Sequence, residues 1–137
     1  MINGLDHIGI AVRDLDAAVK QWQQVTGARI VHREIVSDQR VVVAMIMIGT
    51  LKIELIQPTA DDSPVARFLV RHSEGIHHIA LECSSTQEEL DRARQAGVRL
   101  VDEFSRAGVE GSQVGFVHPQ SLAGVLVELL DHAGRKV

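Results

Sequence analysis

Two histidines and two glutamates recur in matching surroundings in the two halves of this 137-residue chain. His7 and His78 each lie in an apolar, strand-like run, and Glu54 and Glu128 are each flanked by two aliphatic residues. A carboxylate among apolar neighbours is costly to bury unless it is paired or bound to a metal. Two neutral imidazoles and two carboxylates therefore predict a four-ligand metal site made by His7, Glu54, His78 and Glu128.

The spacing of these residues indicates an internal repeat. The two histidines are 71 residues apart (7 to 78), the two glutamates 74 (54 to 128), and the similar segments 27–31 and 97–101 are 70 apart (27 to 97). Three nearly equal offsets are hard to obtain by chance. His77 remains an alternative ligand next to His78, but the repeat aligns His77 with Asp6 and therefore favours His78.

The ligand set narrows the class of metal. Mixed nitrogen and oxygen ligands suit Co, Zn, Mn, Ni or Fe(II), and they differ from the ligands of a thiolate site. The sequence does not identify which divalent ion is bound. A single histidine or glutamate in a strand is more often structural or solvated, and the repeat is what favours the metal. His32, His72 and His132 have no matching partner in the repeat, so we expect them to be exposed to solvent.

The order of elements in both halves predicts an α+β fold made of two βαβββ units. Strands are predicted at 5–12, from 29, at 41–48 and 51–57, and again at 76–83 and from 99. Asp14 and Ser85 are suited to begin the helices after the first strands, and Gly27 and Gly97 to end them. A connecting helix is predicted from Ser63 and Pro64, in the order typical of a helix start.

Composition excludes several classes of function. A hydrophobic fraction of 45% supports a real core, while an aromatic fraction of 3% and a net charge of −4 argue against a nucleic-acid partner. The single cysteine, Cys83, cannot form an intrachain disulfide, and we expect a buried, inert thiol. We see neither a signal peptide nor a membrane span, so we expect a cytoplasmic protein with no membrane partner. Residues 133–137 are predicted to be a frayed end.

Several motifs resemble a known superfamily. The run Asp-His-Ile-Gly-Ile-Ala-Val at 6–12 and the paired units resemble the vicinal oxygen chelate superfamily, which includes glyoxalase I, extradiol dioxygenases and fosfomycin-resistance proteins. More specific segments resemble the methylmalonyl-CoA epimerase family: Lys-Ile-Glu-Leu-Ile-Gln-Pro at 52–58, Asp-Ser-Pro-Val-Ala-Arg-Phe-Leu at 62–69, Gly-Ile-His-His-Ile-Ala at 75–80, and Phe-Val-His-Pro at 116–119 with Gly-Val-Leu-Val-Glu-Leu at 124–129.

This resemblance covers nearly the whole chain and implies an architecture. It implies one domain over 1–137, with a first module at about 1–58, a connecting helix at about 62–73 and a second module at about 75–132. The two tandem modules are expected to form a curved, half-barrel mixed sheet around the metal site. The metal ligands carried over from the family fall on the residues already named: His7, Glu54, His78 and Glu128.

The resemblance also implies a reaction. It implies a metal-dependent epimerase that interconverts (2R)- and (2S)-methylmalonyl-CoA by proton transfer at C2 through a metal-stabilised enolate, and it implies a homodimer. Some members carry a glutamate proposed as a base in the third strand, where this chain has Val43 or, in a shifted alignment, Val42. We therefore hypothesise that one or both of Glu54 and Glu128 leave the metal transiently and serve as the acid–base pair.

Two other functions remain open at this point. A glyoxalase I-type isomerase acting on a hemithioacetal would use the same four ligands and similar proton chemistry. A metal-free protein that binds or sequesters a small molecule is also known on this fold, but that function is expected to go with loss of the ligand positions. Arg40 stands where many epimerases have glycine, and a surface position is the favoured interpretation of it.

Overall fold

The structure, a computed structural model, describes residues 1–132. The frayed end that we predicted for 133–137 lies outside the described residues. Within them the helices are α1 (Leu15–Thr26), α2 (Pro64–His72) and α3 (Thr86–Gln95). The strands are β1 (Ile2–Ala11), β2 (Arg29–Val36), β3 (Val41–Ile48), β4 (Leu51–Pro58), β5 (Gly75–Cys83), β6 (Arg106–Ala107), β7 (Gln113–Val117) and β8 (Val127–Asp131). The predicted α+β class and the two βαβββ modules are confirmed.

The chain forms two compact units, which we call the His7 unit and the His78 unit. The His7 unit comprises His7–His77, and the His78 unit comprises Met1–Asp6 together with residues 78–132. No helix within residues 1–132 is long and apolar enough to cross a membrane.

In the His7 unit, the strands lie side by side in the order β2-β3-β4-β1. Strand β4 runs parallel to β1 and antiparallel to β3, which is antiparallel to β2. Helix α1 covers one face of these strands, where Leu15, Val19, Ile46 and Leu55 form part of a buried cluster. Side chains alternate between the two faces of a strand. The strand residues on either side of Ile46 and Leu55 in sequence therefore point to the opposite face, which we call the site face.

Capping residues set the ends of α1. The carboxylate of Asp14 accepts a hydrogen bond from the amide of Ala17 at 3.0 Å. Gly27 ends the helix in the left-handed region with φ of 69°, a conformation that glycine adopts without strain. In α2, the hydroxyl of Ser63 accepts from the amide of Val65 at 3.2 Å. The predictions for Asp14, Gly27 and Ser63 are confirmed.

In the His78 unit, the strand order is β5-β8-β7-β6, with β8 parallel to β5 and antiparallel to β7. Leu90 of α3 is fully buried and packs in a cluster with Cys83, Val117 and Leu129. Burial raises the pKa of the Cys83 thiol, which disfavours the reactive thiolate. The structure thus confirms that this cysteine is buried.

One predicted strand is wrong. The strand expected from Arg99 is absent from the described residues, which hold only an isolated bridge between Leu100 and Val117 before the two-residue strand β6. The cause is local, since the carboxylate of Asp102 accepts the hydrogen bond of the Phe116 amide at 2.9 Å. A side chain therefore occupies the place of a backbone carbonyl, and the ladder does not continue.

Candidate active site

The first half-site lies on the site face of the His7 unit. His7 is on β1 and Glu54 on β4, and Gly9 is the residue of β1 that pairs with Glu54. Because residues two apart on a strand share a face, His7 and Glu54 point to the same side. Both are buried, with 2% and 6% of their surface exposed. Their Nε2 and Oε2 atoms are 3.6 Å apart.

This separation fits two ligands of one metal ion. At 3.6 Å the two atoms are too far apart for a hydrogen bond between them. Imidazole nitrogens and carboxylate oxygens bind ions such as zinc at about 2.1 Å, so two of them on the same ion are at most about 4.2 Å apart. Imidazole and carboxylate side chains also offer the nitrogen and oxygen donors that such ions accept.

The second half-site repeats the first in the His78 unit. His78 is on β5 and Glu128 on β8, and Ala80, two residues after the histidine, pairs with Glu128. Both side chains are buried, with 3% and 6% exposure. The ring of Phe116 meets the ring of His78 edge to face, with centroids 5.5 Å apart and an interplanar angle of 85°. This contact restricts the orientation of the imidazole.

The register of the two half-sites is the same. In each unit a buried glutamate lies opposite the residue that follows a buried histidine by two positions. Among the described residues, His7 and Glu54 belong to a group of buried side chains that could hold a metal ion. All four predicted ligands are therefore buried on the faces where the repeat expects them.

His77 has a different environment from its neighbour. It packs against Phe68 of α2, with ring centroids 4.9 Å apart in an edge-to-face arrangement. Burial lowers the pKa of His77 to about 4, so its imidazole is neutral at neutral pH. Alternation along β5 places its side chain on the face opposite to that of His78.

Two positions that depart from the family pattern have clear structural settings. Val43 is almost fully buried, with 1% exposure, and pairs with Ile56 of β4. Arg40 is exposed and forms an ion pair with the carboxylate of Asp62. The Arg40 guanidinium holds the pKa of Asp62 below its usual range. Arg40 thus lies at the surface, as predicted.

The expectation that the unmatched histidines are exposed was wrong for two of them. His32 is half-buried, and its Nε2 atom lies 2.8 Å from Oε1 of Glu34. His132 lies 2.8 Å from the carboxylate of Asp6, a contact between residues 126 positions apart. Only His72 is exposed as predicted. The spacing of His32 and Glu34 could have indicated their contact in the sequence, because residues two apart share a strand face.

Comparison with known proteins places the chain in a family. The Glyoxalase/Bleomycin resistance protein/Dioxygenase superfamily matches residues 6–116. The ethylmalonyl-CoA/methylmalonyl-CoA epimerase of Cereibacter sphaeroides is 38% identical over 131 residues, which cover 94% of this chain and 98% of the relative. The chain belongs to the methylmalonyl-CoA epimerase family of this superfamily.

Solved structures of the family agree with this placement. The methylmalonyl-CoA epimerase of Mycobacterium tuberculosis is 38% identical, with a TM-score of 0.91 over 96% of this chain and 89% of the relative. A methylmalonyl-CoA epimerase solved with methylmalonyl-CoA and ammonium is 36% identical, with a TM-score of 0.92 over 97% of this chain and 96% of the relative. The prediction of an epimerase-like isomerase is confirmed.

Proposed function

We propose that this protein interconverts the (2R) and (2S) epimers of methylmalonyl-CoA, with a divalent ion held by His7, Glu54, His78 and Glu128. The observation that carries the proposal is the equal register of the two half-sites, which presents a buried histidine and glutamate pair in each unit. Burying a carboxylate is costly, and a bound cation offsets that cost. A homodimer remains a prediction that rests on family resemblance.

The substrate class is supported by the relatives. One relative is named for methylmalonyl-CoA and ethylmalonyl-CoA, and a solved relative with a TM-score of 0.92 holds methylmalonyl-CoA. The thioester acidifies C2 of such a substrate, which makes removal of its proton feasible. A bound divalent ion supplies Lewis-acid stabilisation of the negative charge that develops on the oxygen atoms.

Side chains of the protein itself transfer the protons. At least one of Glu54 and Glu128 takes the proton from C2, and the electron pair of the broken C–H bond moves toward the thioester carbonyl. A second group then returns a proton to the opposite face of C2 while the carbonyl re-forms. The buried valine at position 43 motivates this assignment, because it offers no carboxylate there.

A glyoxalase-type isomerase remains the second candidate. The proposed ligand set contains two histidines and two glutamates. These side chains would serve proton transfer in a hemithioacetal equally well. The metal-free binding protein is disfavoured, because all four ligand positions keep side chains that bind metals.

Metal removal tests the proposal. We expect the purified protein to hold close to one divalent ion per chain, and its treatment with a chelator to slow inversion of methylmalonyl-CoA by more than about 100-fold, because Lewis-acid stabilisation is worth several kcal/mol. Adding the ion back restores the rate, and dialysis without chelator is the control. Protein that lacks the ion yet inverts the substrate at full rate contradicts the metal site. Protein that binds acyl-CoA without metal or turnover supports the binding function.

A further inference from the structure

The site face of the His7 unit also carries His32 and Glu34, both on β2. Met45 of β3 pairs with Glu54 on one side and with His32 of β2 on the other, while Val43 pairs with Glu34. Residues that pair across neighbouring strands point to the same side of a sheet. His32 and Glu34 therefore lie on the face that holds Glu54, two strands away from it.

The contacts of β2 agree with this assignment. Arg33, between the two residues, has its guanidinium 2.7 Å from the carboxylate of Asp16 on α1, which covers the opposite face. The side chains of His32 and Glu34 are 32% and 30% exposed, so they are half-buried and reachable from solvent. The strand thus separates a structural ion pair on the helix side from a second pair on the site face.

The second pair has the composition of an acid–base group. Nε2 of His32 and Oε1 of Glu34 are 2.8 Å apart, which is hydrogen-bond distance. A carboxylate bonded to one ring nitrogen selects the tautomer and orientation of an imidazole, and histidine is the side chain most often used to move protons near neutral pH. Glu34 also stands opposite Val43, the position without a carboxylate.

The spacing leaves room for a substrate carbon. Two strand spacings separate β2 from β4, or about 10 Å between backbones. Two groups that act on opposite faces of one carbon must each come within about 3 Å of its proton, directly or through one water. Residues on β2 and β4 are therefore far enough apart to hold one carbon between their side chains.

We propose that the His32–Glu34 pair is the acid–base group that serves one face of C2, while Glu54 serves the other face. The proposal rests on the proposed epimerase function. In one direction the imidazole, oriented by Glu34, takes the C2 proton and the opposite carboxylic acid delivers its own proton. In the reverse direction the carboxylate takes the proton and the imidazolium returns one, so protons and charge balance.

Single epimers in deuterium oxide test the pair. In the wild-type protein with its metal, each epimer is expected to invert and to gain deuterium at C2. In Glu34→Gln and His32→Gln, inversion is expected to fall about 100-fold or more in both directions, the usual effect of losing a general acid–base group. One epimer is still expected to gain deuterium without inverting, because the group on the other face remains.

The control is Arg33→Gln, which removes the ion pair with Asp16 from the same strand on the helix side. It is expected to invert both epimers at the wild-type rate, and all variants are to be compared by melting temperature and metal content. Wild-type inversion with no change in Glu34→Gln and His32→Gln overturns the pair alone, as does equal loss of exchange from both epimers. A wild-type protein that exchanges no deuterium at C2 overturns the epimerase function and the pair with it.

Discussion

His78→Ala is expected to lose the metal ion and to slow inversion by more than about 100-fold, since changes merely to the partners of metal ligands already cost 10–100-fold in affinity or activity. His78 is buried beside Phe116 in the same register as His7, and alanine offers no nitrogen ligand in its place. The ion of the proposed site would then lack one of its four ligands. Elemental analysis and the inversion rate, measured on the same sample, check this.

The adjacent residue provides the matched control. His77→Ala removes an edge-to-face contact with Phe68, for which we expect a loss of about 1 kcal/mol in the free energy of unfolding. Metal content and inversion rate should stay at wild-type values. If His77→Ala releases the ion and His78→Ala retains it, the repeat has selected the wrong histidine, and the ligand set must be revised.

Glu54→Gln and Glu128→Gln are expected to slow inversion by about 10²–10⁴-fold in at least one of the two variants, the range for loss of a general acid or base. Glutamine keeps the shape and one oxygen of the side chain, so the ion can stay bound while the basic group is lost. Both glutamates are 6% exposed, and each lies in a half-site with a histidine.

Separating the roles of the two glutamates needs metal content and deuterium exchange together. A variant that retains the ion but loses exchange at C2 identifies an acid–base group. A variant that loses both identifies a ligand. Glu88→Gln, an exposed change in the first turn of α3, is the control and is expected to behave as wild type. If both Glu54→Gln and Glu128→Gln keep the metal and full exchange, the acid–base assignment is wrong.

Much of the site could be predicted because its pattern is short-range. The histidines share their face with residues two positions away, and the glutamates interrupt aliphatic runs, so the repeat offsets alone selected four buried residues. The register between strands, such as Gly9 opposite Glu54, depends on how β1 and β4 meet. No local pattern encodes it, and it emerged only from the structure.

The misses have the same origin. The His32–Glu34 pair was overlooked because it has no counterpart in the repeat, and its position opposite Val43 and Met45 depends on the pairing of β2 with β3. The strand expected from Arg99 does not form, because the carboxylate of Asp102 accepts the hydrogen bond of the Phe116 amide. In a regular ladder a backbone carbonyl would accept it. A side chain that competes with the backbone in this way is not visible in hydrophobic periodicity.

The most direct test is the inversion of a single epimer of methylmalonyl-CoA by the metal-containing protein in deuterium oxide, followed by nuclear magnetic resonance at C2. We expect the opposite epimer to accumulate to equilibrium and deuterium to enter C2, with no comparable turnover of a hemithioacetal. Unchanged methylmalonyl-CoA alongside rapid isomerisation of the hemithioacetal would contradict the epimerase function and favour the glyoxalase-type reaction.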